Sequence, residues 1–137
     1  MRIMVDTNVL ISALVFQSEH LTKVIEKAAE EYTLVICSYV IDEINTVIER
    51  KFPKHKSTIS KFLSKLSFEL VYSPKEIEGE RLFDIRDEND YMILHTAIIE
   101  NVDILITGDK DFAAVDIDHP EILTPIEFLS NIKDTLK

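Results

Sequence analysis

The sequence begins with a short apolar run that stops at an acidic residue. Ile3, Met4 and Val5 have the character of a strand buried on both faces of a sheet, and Asp6 follows them directly. In open parallel α/β sheets, ligands bind beyond the carboxyl ends of the strands, which is where Asp6 would lie. Aspartate is also a common helix N-cap, so Asp6 is either an acid used in chemistry or the cap of the next helix.

Apolar strands and amphipathic helices alternate along the chain. The apolar pattern predicts strands over 3–5, 33–37, 68–72, 103–107 and 121–124, and helices over 9–31, 38–52, 55–66, 89–100 and 125–132, while 76–84 has no clear pattern. This alternation predicts an α/β fold with a mainly parallel central sheet and helices on both faces. At 137 residues, the chain fits a single domain, 1–137.

The composition argues against a membrane or disulfide-bonded protein. Cys37 is the one cysteine and lies in an apolar stretch, so it cannot form an internal disulfide, and a reducing cytoplasm suits it. The N-terminal residues do not have the pattern of a signal peptide, and the longest largely apolar run, 9–16, is too short to cross a bilayer. We therefore expect a cytoplasmic protein with no membrane role.

The charge distribution is uneven. The net charge is −10, with 25 acidic residues against 15 Lys and Arg, so the molecule as a whole repels nucleic acid. Residues 50–66, however, contain six cationic residues and no acid. This basic stretch is either a solvated helix face or a contact for RNA phosphates or a protein partner. The candidate contact residues are Arg50, Lys51, Lys54 and Lys56.

Two acids lie on or beside the apolar faces of predicted helices. At about 100° per residue, Glu43 falls just beyond the edge of its helix's apolar arc, whereas Asp42 falls almost opposite that arc. Asp90 falls on the apolar arc of helix 89–100 and is aimed inward, and Asp87 suits the N-cap position. A solvated glutamate and an aspartate capping pair are the structural alternatives for these positions.

A second buried strand also ends in acids. Residues 103–107 lead into Gly108, which permits a tight turn, so that Asp109 projects over the sheet edge and Asp111 lies further out. An ordinary polar turn is the alternative. If four carboxylates converge, two charges about 5 Å apart repel by roughly 3 kcal/mol at an effective dielectric near 20. One or two hard cations, Mg²⁺ or Mn²⁺, would relieve this repulsion and support phosphodiester hydrolysis.

Four segments together resemble the PIN domain family, and within it the prokaryotic toxin components related to VapC-like ribonucleases. In chain order they read IMVDTNVLISAL, SYVIDEINTVIERKF, RDENDYMILHTAI and ILITGDKDF. The resemblance implies a three-layer α/β/α sandwich and cleavage of single-stranded RNA that depends on Mg²⁺ or Mn²⁺. It also implies a small antitoxin protein as a candidate partner and a homodimer as a candidate assembly.

The resemblance also assigns roles to individual polar residues. The acidic quartet that would bind metal and carry catalysis consists of Asp6, Glu43, Asp90 and Asp109. Supporting candidates are Asp87 and Asp111, together with Asn8 and Thr107, whose polar side chains would orient ligands or waters.

Two other function classes fit parts of the sequence. A PIN-like scaffold would bind RNA or protein without cleaving it. A phosphoaspartyl protein, either a haloacid-dehalogenase-like phosphatase or a receiver domain, would also place an aspartate at a strand end. The phosphatase pattern requires a second aspartate at the position of Asn8, and a receiver domain requires an acidic pair on the first strand. The sequence has neither feature.

His95 and His119 have no partner at ligand spacing, so neither is included in the site.

Overall fold

A parallel sheet forms the centre of the structure, a computed structural model that describes the backbone of residues 1–135 and the side chains of residues 1–130. Within those residues there are five strands: β1 (Arg2–Val5), β2 (Thr33–Cys37), β3 (Glu69–Val71), β4 (Ile104–Ile106) and β5 (Glu121–Leu123). They lie in the order β3-β2-β1-β4-β5, and all neighbouring strands are parallel. The predicted α/β fold with a mainly parallel sheet is confirmed.

Helices connect these strands and pack around the sheet. They are α1 (Thr7–Leu14), α2 (Glu19–Glu31), α3 (Ser38–Lys51), α4 (Lys56–Lys65), α5 (Glu88–Ile99), α6 (Lys110–Ala113) and α7 (Pro125–Thr135), with a 3₁₀ turn at Pro53–His55. The three-layer α/β/α arrangement implied by the PIN resemblance is confirmed. Within residues 1–135, every helix is too short or too polar to span a lipid bilayer.

The prediction of one continuous helix over 9–31 is wrong. The chain forms two helices because Gln17 adopts a φ of 52°, which lies outside helical geometry. Ser18 then caps α2, where its hydroxyl oxygen accepts a hydrogen bond from the Leu21 N–H at 3.3 Å. The break allows α1 and α2 to pack against each other.

The apolar character of β1 follows from its central position. Met4 pairs with Val35 of β2 on one side and Leu105 of β4 on the other. Ile3, Met4 and Val5 have no exposed surface. These three residues have no solvent-facing side, which is why they are all apolar.

The parallel arrangement brings several strand ends to one edge of the sheet. Asp6 follows β1 and Thr107 follows β4, and the Asp6 N–H donates to the Ile106 carbonyl at 3.1 Å. Helix α3 begins at Ser38, directly after β2, at this same edge. Polar residues from three segments that are distant in sequence therefore meet beyond the carboxyl ends of β1, β2 and β4.

Candidate active site

A polar cavity of about 230 Å³ opens at the carboxyl edge of the sheet. All four members of the predicted acidic quartet line it, as do two of the supporting candidates, Asn8 and Asp87. The full lining is Asp6, Thr7, Asn8, Ile11, Glu43, Val47, Asp87, Asn89, Asp90, Ile93 and Asp109. The structure thus brings together acids that are separated by up to about a hundred residues in the sequence.

Asp6 both caps helix α1 and lines the cavity. One carboxylate oxygen accepts a hydrogen bond from the Val9 N–H at 2.9 Å, which caps α1, and the other accepts one from the Thr107 hydroxyl. The side chain is only 3% exposed. Burial raises the pKa of Asp6, the two hydrogen bonds oppose this effect, and the charge of Asp109 adds to it. The two interpretations of Asp6 are therefore compatible.

Thr107 connects the ends of β1 and β4. Its hydroxyl donates to Asp6 and accepts a hydrogen bond from the Asp109 N–H at 3.1 Å. Asp109 in turn accepts a hydrogen bond from the Asp111 N–H at 2.9 Å and caps the short helix α6, which the sequence pattern did not predict. This turn brings Asp111 back towards the cavity. One carboxylate oxygen from each of Asp90, Asp109 and Asp111 lies within 4.8 Å of the others.

Glu43 leaves α3 at the edge of its buried face, as the helical geometry predicted. The Thr7 hydroxyl donates a hydrogen bond of 2.6 Å to one Glu43 carboxylate oxygen and so joins α1 to α3. Burial raises the pKa of Glu43, Thr7 lowers it, and the charge of Asp87 raises it. The neighbouring Asp42 is exposed, also as predicted. Thr7 was not predicted to contribute, although it is a polar residue directly after Asp6.

Asp90 is a partly buried acid whose pKa is raised by its surroundings. Burial raises its pKa to about 7, and the nearby carboxylates of Asp87, Asp109, Asp6 and Asp111 contribute to the increase. Asp87 caps α5 by accepting a hydrogen bond from the Asn89 N–H at 2.7 Å. Asp90 points to the cavity, so the inward direction predicted for it agrees with its position. A carboxylate with this pKa is poorly stabilised as an anion and favours a nearby cation.

Two contacts at the cavity margin were not predicted. Arg86 lies 3.5 Å from an Asp111 carboxylate oxygen and is highly exposed. The Tyr39 hydroxyl donates to the Asn89 side-chain oxygen. Each contact joins segments far apart in sequence, and the pattern of neither segment signals it.

The remaining candidates lie outside the cavity lining. Arg50, Lys51, Lys54 and Lys56 are all exposed, and Lys56 forms an ion pair with Glu49 at 3.1 Å.

The two histidines that were left out of the site, His95 and His119, are also outside the cavity lining. Burial lowers the pKa of His95. Cys37 is buried, and burial raises the pKa of its thiol, as befits a residue that fills space.

Comparison with a family model identifies the chain. The model of the PIN domain matches residues 2–111, which is most of the sequence. The chain belongs to the PIN domain family. The matched region of this PIN domain extends from β1 to Asp111 and includes every acid that lines the cavity. A comparison with curated protein sequences found no match.

Solved structures with the fold of this PIN domain include several VapC-related proteins. VapBC2 from Rickettsia felis, bound to a promoter DNA fragment, is 22% identical with a TM-score of 0.67, over 90% of this chain and 98% of that chain. VapBC-1 from nontypeable Haemophilus influenzae is 16% identical with a TM-score of 0.62, over 92% and 99%. Mycobacterium tuberculosis VapC20, described as a Sarcin-Ricin loop cleaving toxin, is 13% identical with a TM-score of 0.57, over 82% and 93%.

Proposed function

We propose that this PIN domain is a divalent-metal-dependent endoribonuclease that cleaves single-stranded RNA. The observation that carries the proposal is the cavity itself, which Asp6, Glu43, Asp90 and Asp109 all line at the carboxyl edge of the sheet. Carboxylates that share one cavity repel one another, and a bound cation would relieve that repulsion. Burial, with a further contribution from the neighbouring carboxylates, raises the pKa of Asp90 to about 7, so a nearby cation would stabilise its charged form.

The donor set fits Mg²⁺ or Mn²⁺. These ions prefer oxygen ligands, and three carboxylate oxygens already lie within 4.8 Å of one another at Asp90, Asp109 and Asp111. We assign Asp6, Glu43, Asp90 and Asp109 as the residues that would hold one or two ions, with Asp111 in support. A bound ion would supply Lewis-acid activation of water and neutralise charge on the scissile phosphate.

The hydrogen bonds around the acids hold them in place before metal or substrate arrives. Thr107 orients Asp6 and the backbone of Asp109, and Thr7 orients Glu43. Preorganised ligands of this kind reduce the reorganisation that metal binding and phosphodiester cleavage require.

The proposed biological role is that of a toxin with a small antitoxin as its partner, acting in the cytoplasm. The fold similarity to two VapBC assemblies and to a toxin described as cleaving the Sarcin-Ricin loop supports this role. A homodimer is the corresponding candidate assembly. The rival function is a scaffold that binds RNA without cleaving it.

The test is cleavage of end-labelled single-stranded RNA with millimolar Mn²⁺ or Mg²⁺. We expect wild-type protein to cleave, and chelation with EDTA and the Glu43→Gln variant each to abolish cleavage. Asp42→Asn is the matched control, because Asp42 is the exposed neighbour of Glu43 on the same helix, and it should cleave as wild type does. Binding of RNA without cleavage under all conditions would favour the scaffold instead.

A further inference from the structure

Helices α1 and α3 run side by side from the cavity in matching register. Three pairs of residues, each separated by 36 positions, lie on these two helices or just beyond their C-terminal ends. The pairs are Thr7 with Glu43, which are hydrogen-bonded; Ile11 with Val47, which both line the cavity; and Phe16 with Phe52, whose rings are 5.7 Å apart. We call this line of six residues the α1–α3 seam.

The far end of the seam carries an aromatic cluster. Phe16 is 65% exposed, although it is a large apolar residue, and its ring packs edge-on against Phe52. The imidazole of His55 lies edge-on to the Phe52 ring, with 6.2 Å between the ring centroids. The Phe16 ring is thus held in place by its neighbour while much of its surface faces solvent.

Three cationic residues flank Phe52 in the sequence. Arg50, Lys51 and Lys54 are exposed, and none of them forms an ion pair with a residue in the described part of the chain. Arg50 is seven residues after Glu43, within 20° of two full helical turns, so it projects from the same side of α3 about 10 Å further along. Lys56 differs from these three because Glu49 already pairs with it at 3.1 Å.

We propose that the α1–α3 seam is a track for single-stranded RNA, on which Phe16 stacks with a base and Arg50 contacts a phosphate. The inference rests on the proposed ribonuclease function, since it supplies the substrate path to that site. Exposed aromatic rings beside a row of cations are the usual means of binding single strands, because every base has a π-face and every nucleotide carries a negative charge.

The length of the seam sets the length of RNA that can use it. Phe52 directly follows the last residue of α3 and lies nine positions beyond Glu43, which corresponds to about 14 Å at 1.5 Å per residue. At about 3.4 Å per stacked nucleotide, the aromatic cluster is reached about four nucleotides from the acids. A trinucleotide whose bases stay stacked is too short to reach Phe16 from the cavity, whereas a decanucleotide reaches it.

The charge around the cluster favours RNA over a protein partner with an apolar face. An apolar helix would cover Phe16 but would leave three cations near its edge without counter-charges. The Phe16→Leu substitution separates the two occupants, because leucine retains an apolar surface for protein docking and removes the flat ring on which a base stacks. Phe16→Ala removes both.

The first experiment measures binding of a fluorescent decanucleotide RNA by anisotropy in EDTA, so that the result does not depend on cleavage. We expect Phe16→Ala and Phe16→Leu each to weaken binding by about 5- to 20-fold, because each variant lacks the aromatic ring on which one base would stack. Arg50→Ala should weaken binding and reduce the slope of log affinity against log salt by about 0.7, as expected for one lost phosphate contact. Lys27→Ala removes a cation of α2 outside the seam and should bind as wild type does. Circular dichroism melting of each variant confirms that it is folded.

The second experiment measures KM and kcat with Mn²⁺ for the decanucleotide and for a trinucleotide. For the decanucleotide, the Phe16 and Arg50 variants should raise KM and leave kcat within about twofold of wild type; for the trinucleotide, both constants should be unchanged. Wild-type affinity and KM in Phe16→Leu and Arg50→Ala would overturn the RNA track. If the variants lose RNA affinity but wild-type protein cleaves neither RNA, the seam is supported and the ribonuclease function is refuted.

Discussion

Removal of the Asp90 charge should stabilise the metal-free protein at alkaline pH. Asp90 is suited to this test because its carboxylate forms no hydrogen bond with a described residue, so Asp90→Asn removes charge without breaking a cap. Burial and the neighbouring carboxylates raise its pKa from 3.8 to about 7. The folded protein therefore holds this proton more tightly than the unfolded chain does. The tighter proton binding stabilises the folded protein fully below about pH 4, and this contribution to the free energy of unfolding is lost as the pH rises to about 7.

The size of the effect follows from the pKa difference. A shift of about three units corresponds to about 4 kcal/mol at 1.36 kcal/mol per unit. Asp90 is partly exposed, and solvent screening reduces this value to about 2 kcal/mol. Asp90→Asn should therefore raise the free energy of unfolding by about 2 kcal/mol at pH 8 and by no more than about a quarter of that at pH 4.

Urea denaturation in EDTA at the two pH values measures both quantities. Asp42→Asn is the matched control, because Asp42 is exposed on α3, and its change should stay within about 0.5 kcal/mol at either pH. An equal effect of Asp90→Asn at pH 4 and pH 8, or a loss of stability at pH 8, would refute the argument that the cavity acids repel one another in the folded state.

Two further substitutions test the contacts that hold the cavity acids. Thr107→Val removes the hydroxyl that donates to Asp6 and accepts from the Asp109 N–H, and should lower the free energy of unfolding by about 1–3 kcal/mol; Thr107→Ser should restore most of it in the same urea titration. Arg86→Ala removes a cation 3.5 Å from Asp111 and should tighten Mn²⁺ binding by up to about fivefold in calorimetric titration. An unchanged or weaker affinity would show that Arg86 does not compete with the ion.

Much of the fold was predictable because the strands β1, β2 and β4 each contain a run of buried apolar residues. The residues of β2 were predicted as 33–37, the same as in the structure, since Leu34 to Cys37 are buried and polar residues flank them. The division between α1 and α2 was not predictable from the apolar pattern. Its cause is a positive φ at Gln17, a residue type that does not signal such a conformation, and the apolar spacing continues across the break.

The cavity acids were partly predictable for a related reason. Helical periodicity places Glu43 at the edge of a buried face and Asp90 on one, and the strand ends place Asp6 and Asp109. The contribution of Thr7 and the return of Asp111 through α6 depend on contacts made only in the folded chain. A four-residue helix is too short to produce a periodic signal, so its position had to come from the structure.

The most direct test of a metal site in this PIN domain is thermal unfolding of wild type and Asp90→Asn at pH 8, each with and without Mn²⁺. With Mn²⁺ at about 100 times its Kd, wild type should gain about 2.7 kcal/mol, or a rise in midpoint of about 10 °C for a domain of this size. Asp90→Asn should start from a higher midpoint and gain little from Mn²⁺. Equal shifts in the two proteins, or no shift in either, would contradict the assignment of these acids to one cation site.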